Sequence, residues 1–259
     1  MWGIKRSWEL KAACGCAIGY RRNNNEDNFF FLGNNLPQNN NGLDQVLIGK
    51  ALLDRQVCFA VFDGMGGEAY GEEAAWIAAK VLKDGVDQSE GRPVNLETIC
   101  QEANREICAR ARERSVGLEG TTAAILAFYG QKACVVNLGD SKVFLLRSGE
   151  LRQLSVDHTD QALLLVQGVT SRKPRLTQHL GIEPEEMVLQ PAVSRMPIRP
   201  KDRFLLCTDG LTDMVETEEI RNILGAQESV ETVVGQLIGR ALENGGRDNV
   251  TAICCQVCR

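Results

Sequence analysis

No stretch of the 259 residues stays uncharged and apolar over the roughly 20 positions that a membrane-crossing helix needs. The first eleven residues, Met1–Lys11, carry charge where a secretory signal would need its apolar segment. The chain therefore reads as cytoplasmic, with no membrane partner. Positive charge is not in excess either: 29 Lys and Arg face 34 Asp and Glu, for a net charge of -5. Aromatic residues make up only 5%, and no stripe of them interleaves with basic residues. Phosphate backbones reward basic surfaces, so nucleic acid is excluded as the main partner. There is no low-complexity linker and no internal repeat.

What is plentiful is apolar residues, at 44%, and cysteine, at ten. Cys14 and Cys16 lie two apart, and Cys254, Cys255 and Cys258 crowd one segment. A structural zinc site usually repeats a C-x2-C unit or adds histidines to it. Here single Cys14-x-Cys16 and Cys255-x-x-Cys258 pairs fall inside strand-like runs, so these residues read as small core fillers in a reducing compartment. A zinc-binding interaction protein is the alternative that rests on them.

The apolar pattern predicts strands over 8–20, 29–32 and 57–62, then helices over 71–83 and 95–114. Four short strands follow over 121–129, 133–138, 143–147 and 150–154, with hairpin-like turns at Gly130-Gln131 and Ser148-Gly149. A strand over 203–207, helices over 216–225 and 228–243, and a strand over 249–257 complete the series. The Asn-rich stretch 33–50 reads as a flexible surface excursion, and 157–181 as an exposed insert without clear periodicity. Hairpins imply antiparallel sheets, and paired amphipathic helices need sheet faces to cover. The expected class is α+β, a single domain over 1–259 in which antiparallel sheets are sandwiched between helices.

Four aspartates share one placement. Asp63, Asp140 and Asp209 each end an apolar strand, and Asp248 immediately precedes one. Any one of them could be an ordinary turn residue. Together, acids at the rim of one sheet would repel each other, and a divalent cation resolves that repulsion. All-oxygen donors of this kind suit Mg2+ or Mn2+. Arg22 stands four residues before the acidic pair Glu26 and Asp27, and arginine presents a fixed pair of donors to phosphate. The glycines after Asp63, at 64, 66 and 67, let a backbone approach a ligand closely.

Read in order, Arg22-Asn23-Asn24-Asn25-Glu26-Asp27, Phe62-Asp63-Gly64-Met65-Gly66-Gly67, Gly120-Thr121-Thr122, Gly139-Asp140-Ser141, Thr208-Asp209-Gly210-Leu211 and Arg247-Asp248-Asn249-Val250-Thr251 resemble the metal-dependent protein phosphatase family, the type 2C Ser/Thr phosphatases, in its bacterial branch. The six motifs span residues 22 to 251. The resemblance implies a four-layer α-β-β-α sandwich and hydrolysis of phosphoserine and phosphothreonine on proteins by a hydroxide bridging two Mn2+ or Mg2+ ions. It casts Asp63 as the bridging ligand, with the Gly64 carbonyl on one ion and Asp209 and Asp248 on the other. Glu26 and Asp27 would hold water molecules on the ions, Asp140 with Asp209 would form a third metal position, and Arg22 would bind the phosphate. Phosphorylated proteins are the implied substrates, opposing a Ser/Thr kinase.

Met65 departs from eukaryotic relatives, which often carry a histidine there; a thioether donates no proton. His158 matches a family position and reads as structural, while His179 reads as a surface residue near the insert. The insert 157–181 corresponds to the family's flap, where Arg172, Lys173 and Arg175 would attract acidic phosphopeptides. A catalytically silent member kept as a binding module is the competing reading, along with a sporulation-type phosphatase acting on a dedicated regulator.

Overall fold

A computed structural model describes residues 8–65, 70–114, 120–170 and 172–259. Twelve strands and six helices are assigned within them. In chain order they are β1 (Glu9–Ala17), β2 (Asp27–Phe31), β3 (Leu47–Leu52), β4 (Val57–Met65), α1 (Gly71–Gln88), α2 (Leu96–Arg114), β5 (Gly120–Thr121), β6 (Ala123–Tyr129), β7 (Lys132–Leu138), β8 (Lys142–Arg147), β9 (Glu150–Gln153), α3 (Gln161–Gln167), β10 (Ala192–Pro197), β11 (Arg203–Cys207), α4 (Asp209–Thr212), α5 (Thr217–Gly225), α6 (Val230–Glu243) and β12 (Val250–Cys258).

All strand pairings are antiparallel. One sheet has the order β3-β1-β12-β11-β8-β9, and the other β10-β7-β6-β4-β2, with β5 pairing to the end of β4. Because side chains alternate across a strand, each of these strands serves two apolar layers. Phe29, Phe31, Phe59, Val61, Leu126 and Phe128 of one sheet face Leu10, Cys14, Leu145, Phe204, Leu206 and Ile253 of the other. Their neighbours in sequence, such as Phe30, Ala60, Phe62 and Ile125, turn outward onto α1 and α2. Ala13, Phe144, Leu205 and Cys254 of the first sheet turn outward onto α4, α5 and α6. The result is the four-layer α-β-β-α sandwich that the resemblance implied. A run of tilted and edge-on aromatic contacts, Phe31–Phe59, Phe59–Phe128 and Phe128–Phe204, at 5.7, 6.3 and 5.1 Å, joins the sheets. Such pairs add about 0.5–1.5 kcal/mol each beyond their buried area.

The cysteines follow the same alternation. All ten are free thiols, and eight are buried. Cys255 lies between the sheets, and Cys258, three residues on, falls on the opposite face, so the pair cannot close on one ion. Burial pushes the thiols of Cys16, Cys58 and Cys254 up to about 12, the behaviour of inert core residues.

Three expectations are corrected. The excursion 33–50 is not a flexible loop. Asn28 and Leu36 exchange a reciprocal pair of hydrogen bonds of 3.1 and 3.0 Å, and the stretch ends in β3, paired along β1. Residues 192–197, given no element in the sequence reading, form β10 on the edge of the second sheet. The insert 157–181 holds the short helix α3, and it is pinned by bridges from Thr159 to Leu176 and from Thr121 to Leu180. Gly66 and Gly67 lie outside the described residues. No helix among the described residues is long and apolar enough to cross a membrane.

Candidate metal centre

The face between the sheets changes character toward one end. Along β2 the inward residues run Phe31, Phe29, Asp27; along β4 they run Phe59, Val61, Asp63. Asp27 and Asp63 are direct cross-strand partners. The facing sheet ends correspondingly in Thr208, just past β11, and Thr251, on β12.

Asp27 is almost wholly buried. Its Oδ2 accepts hydrogen bonds from the hydroxyls of Thr208, at 2.9 Å, and Thr251, at 2.6 Å. Its Oδ1 is buried with no hydrogen-bond partner. Burial pushes the carboxyl up to about 7, with Asp209 and Asp248 adding to it and the two hydroxyls opposing. Asp63 is partly buried at the cleft, and its backbone is fixed on both sides. Its N–H donates to Thr122 Oγ1 at 3.0 Å, and its carbonyl accepts from Thr122 N and Thr121 Oγ1, each at 2.9 Å. Desolvation, then Asp209, Asp27, Asp140 and Asp248, raise its pKa well above the ordinary carboxylate range.

Asp140 follows Gly139, which turns the chain at φ 93°, where a side chain would also strike Thr122. Burial and Asp209 raise its pKa to about 6, against the pull of Lys173 and Lys142. Gly64 is required by close approach: a Cβ there would lie 2.2 Å from the Gly71 carbonyl oxygen and 2.6 Å from that of Glu26. Asn249, a residue the motif contained but to which no role was given, ties the two loops together. Its Oδ1 accepts from Glu26 N at 2.8 Å, and its Nδ2 donates to the carbonyls of Ile18 and Asn24, at 2.9 and 3.0 Å.

Two cationic side chains reach this acidic end from opposite sides. Arg22 donates to Asp248 at 2.7 Å and lies 3.5 Å from Glu26. Lys173, from the insert, donates to Asp209 at 2.5 Å and to Asp213 at 2.8 Å. The Asp248 hydrogen bond holds Arg22 firmly protonated. Burial raises the pKa of Glu26, opposed by Arg22 and reinforced by Glu72 and Asp248.

Arg22, Glu26, Asp63, Gly64, Asp140, Asp209 and Asp248 all line one open cleft of about 530 Å3, and Asp27 sits just beneath it. All eight residues singled out from the sequence are thus gathered at one place. A larger groove, of about 770 Å3, runs beside the C-terminal end of α1. There Asp54, Asp87 and Glu90 alternate with Lys50, Arg55 and Arg92, and the carboxylates do not gather.

His179 is not a surface residue. Its ring lines the cleft, where burial lowers its pKa, and Nδ1 lies 3.0 Å from the Leu180 carbonyl oxygen. It closes on Gly120 from one side as Met65 does from the other: a Cβ on Gly120 would lie 2.6 Å from His179 Nδ1 and 2.9 Å from Met65 Cε. His158 anchors the insert through its backbone, donating to the Gly139 carbonyl at 3.0 Å and accepting from Thr177 N at 2.8 Å. Arg172 spends its charge on Asp160 within the insert.

The donor set fits hard divalent cations: carboxylate and carbonyl oxygens only, with more negative charge than neighbouring cations neutralise, and a buried oxygen of Asp27 without a partner. Among the described residues no group of three or more His, Cys, Asp or Glu side chains is already drawn together at ligating distance. Like charges splay apart, and Arg22 and Lys173 each hold one carboxylate aside.

The family model for protein phosphatase 2C matches residues 43–245. The chain belongs to that family. It is 33% identical over 225 residues to the serine/threonine protein phosphatase PstP of Mycobacterium tuberculosis, covering 84% of this chain and 42% of that protein. The chain thus spans about two fifths of the length of that curated relative. It is 32% identical over 215 residues to the serine/threonine phosphatase stp of Listeria innocua, covering 77% of this chain and 84% of the relative. The crystal structure of M. tuberculosis PstP superposes with a TM-score of 0.79 at 28% identity, covering 97% of this chain and all of that one. The PstP catalytic domain in complex with two manganese ions gives a TM-score of 0.77, also at 28% identity, with coverage of 97% and 100%.

Proposed function

We propose that this chain is a divalent-metal-dependent phosphatase that hydrolyses phosphoserine and phosphothreonine on proteins, acting as a single domain and opposing a Ser/Thr kinase. The observation that carries the reading is the gathering of Asp27, Asp140, Asp209 and Asp248 around Asp63 at one cleft, where burial and these neighbours together raise its carboxyl well above its ordinary range. An acidic cleft repels a phosphate ester; cations bound in it reverse that sign. Asp63, the Gly64 carbonyl, Asp209 and Asp248 would hold the Mn2+ or Mg2+ ions. Glu26 and Asp27 would accept hydrogen bonds from the surrounding waters, and Asp140 with Asp209 would offer an outer position. Bound in this way, the ions supply Lewis-acid activation of water and neutralise charge on the phosphoryl oxygens.

The remaining work falls to the chain itself. Arg22 stands at the lip of the cleft, part-exposed, with N–H groups available to the non-bridging oxygens of a phosphate. Thr208 and Thr251 fix Asp27 so that its free oxygen cannot rotate away. The buried cysteines have raised pKa values and lie in the core, so no thiolate nucleophile takes part.

The test is hydrolysis of p-nitrophenyl phosphate and a phosphothreonine peptide by metal-stripped protein, with and without Mn2+. We expect activity only with the metal, and a loss of at least about 10^3-fold in Asp209→Ala. Activity in Asp209→Ala near that of the parent overturns the assignment. Folded protein without activity in any divalent metal would favour the silent binding module.

A further inference from the structure

We propose that Lys173 is a tethered cation that competes with a divalent metal ion for Asp209, so that metal uptake and the position of the insert are linked. The inference rests on the metal-dependent reading above. Among the described residues, Asp209 is the cleft carboxylate whose ion-pair partner comes from the insert, and one ammonium bridges Asp209 at 2.5 Å and Asp213 at 2.8 Å. Arg175 also lines the cleft, but among the described residues neither it nor Arg172 pairs with a carboxylate there. Arg172 is paired with Asp160, and the Arg175 backbone N–H donates to the same carboxylate at 2.7 Å, so the turn around Lys173 is braced from within the insert. That bracing aims Lys173 across the cleft. Its charge is felt by Asp140 as well, where it opposes the rise in pKa.

An ammonium and a divalent ion cannot both sit at the inner oxygens of Asp209. The lysine neutralises the carboxylate while no metal is there, and it has to leave when one arrives. Its side chain is 57% exposed, so it can withdraw into solvent without crossing packed structure. Exposed ion pairs shift an equilibrium constant by up to about fivefold. Two acidic partners in a cleft of like charge place the expected effect at roughly five- to tenfold. Linkage is reciprocal: whatever Lys173 costs the metal, the metal costs the Lys173 contact.

Titration calorimetry of Mn2+ into metal-stripped protein tests this, with thermal melting in EDTA alongside. In Lys173→Met the weakest Mn2+ step should tighten by about five- to tenfold, and the melting temperature should fall in EDTA but not in saturating Mn2+. Lys173→Arg keeps the charge and should bind Mn2+ as the parent does. An unchanged or weaker Mn2+ affinity in Lys173→Met, in protein that still binds the metal, overturns the competition and leaves the phosphatase reading standing. A parent chain that binds no Mn2+ at all overturns both.

Discussion

The two ends of the space between the sheets are made from the same strands and the same face of each, yet they do opposite things. At one end Phe31, Phe59, Phe128 and Phe204 pack in tilted and edge-to-face pairs. At the other, Asp27 and Asp63 stand opposite each other across the β2–β4 ladder, with Thr208 and Thr251 facing them. Phe59 and Asp63 are four residues apart on β4, which at strand rise is about 13 Å. Over that distance β4 passes from a place where burial stabilises to one where it costs. Directly opposed like charges destabilise a ladder, so the acidic end is held in place by the aromatic end. The site is a strained addition to a core that could exist without it.

Substituting the two residues of β4 breaks that comparison most sharply. Phe59→Ala should cost about 3–5 kcal/mol of stability, while the folded fraction keeps its turnover. Asp63→Asn should do the reverse, abolishing turnover yet stabilising metal-free protein at pH 8 by about 1–3 kcal/mol, since it removes a repelled charge. Denaturant melts in EDTA beside initial rates in Mn2+ decide it; an Asp63→Asn variant less stable than the parent would show that the acidic end is not under strain. A smaller effect concerns substrate grip. Arg22→Ala should raise KM for phosphate esters about tenfold, mostly sparing kcat, because its part-exposed guanidinium at the lip is placed to grip the phosphate. A kcat loss with unchanged KM would move Arg22 into the chemistry.

A further effect is on pH dependence. Asp27 and Asp140 titrate near 7 and 6 in the folded chain, above the ordinary carboxylate value of 3.8. The folded state therefore holds protons that the unfolded state has released. Their contribution to stability is complete below about pH 4 and is lost as pH rises through 6 and 7. Melting temperature in EDTA should fall from pH 5 to pH 8, and Mn2+ should flatten the fall by keeping the carboxylates deprotonated. A rise in EDTA over that range would mean the acids are not desolvated as described.

Much of this was legible in the sequence, for a physical reason. Strands buried on both faces, such as Val57–Phe62, leave a continuous apolar run, and the acids that end them stand out against it. The two strands that escaped notice, β3 and β10, are both sheet edges. Their residues are half-exposed, as at Ile48, Lys50 and Arg195, so no apolar run marks them. The short α3 turns Leu163, Leu165 and Val166 outward, which hides any helical period from a pattern that assumes an inward face. Lys173 read as one of three surface charges, and His179 as exposed, because where they end up depends on the path of the insert and on no local signal. Asn249 bonds to residues more than 220 positions earlier, which no spacing rule anticipates.

The position of β12 bears on how the molecule is made. It lies between β1 and β11 in the first sheet, pairing Glu9 with Cys258 and Ala17 with Val250, so β1 must wait for a strand made long after it. Pairings of such long range are slow to form. Until β12 arrives, β1 lacks an inner neighbour, Asp27 lacks the Thr251 hydroxyl, and the loop bearing Glu26 lacks Asn249. A nascent chain stopped short of residue 248 thus carries five of the six acids but no assembled cleft, which would form in a single late step rather than by degrees.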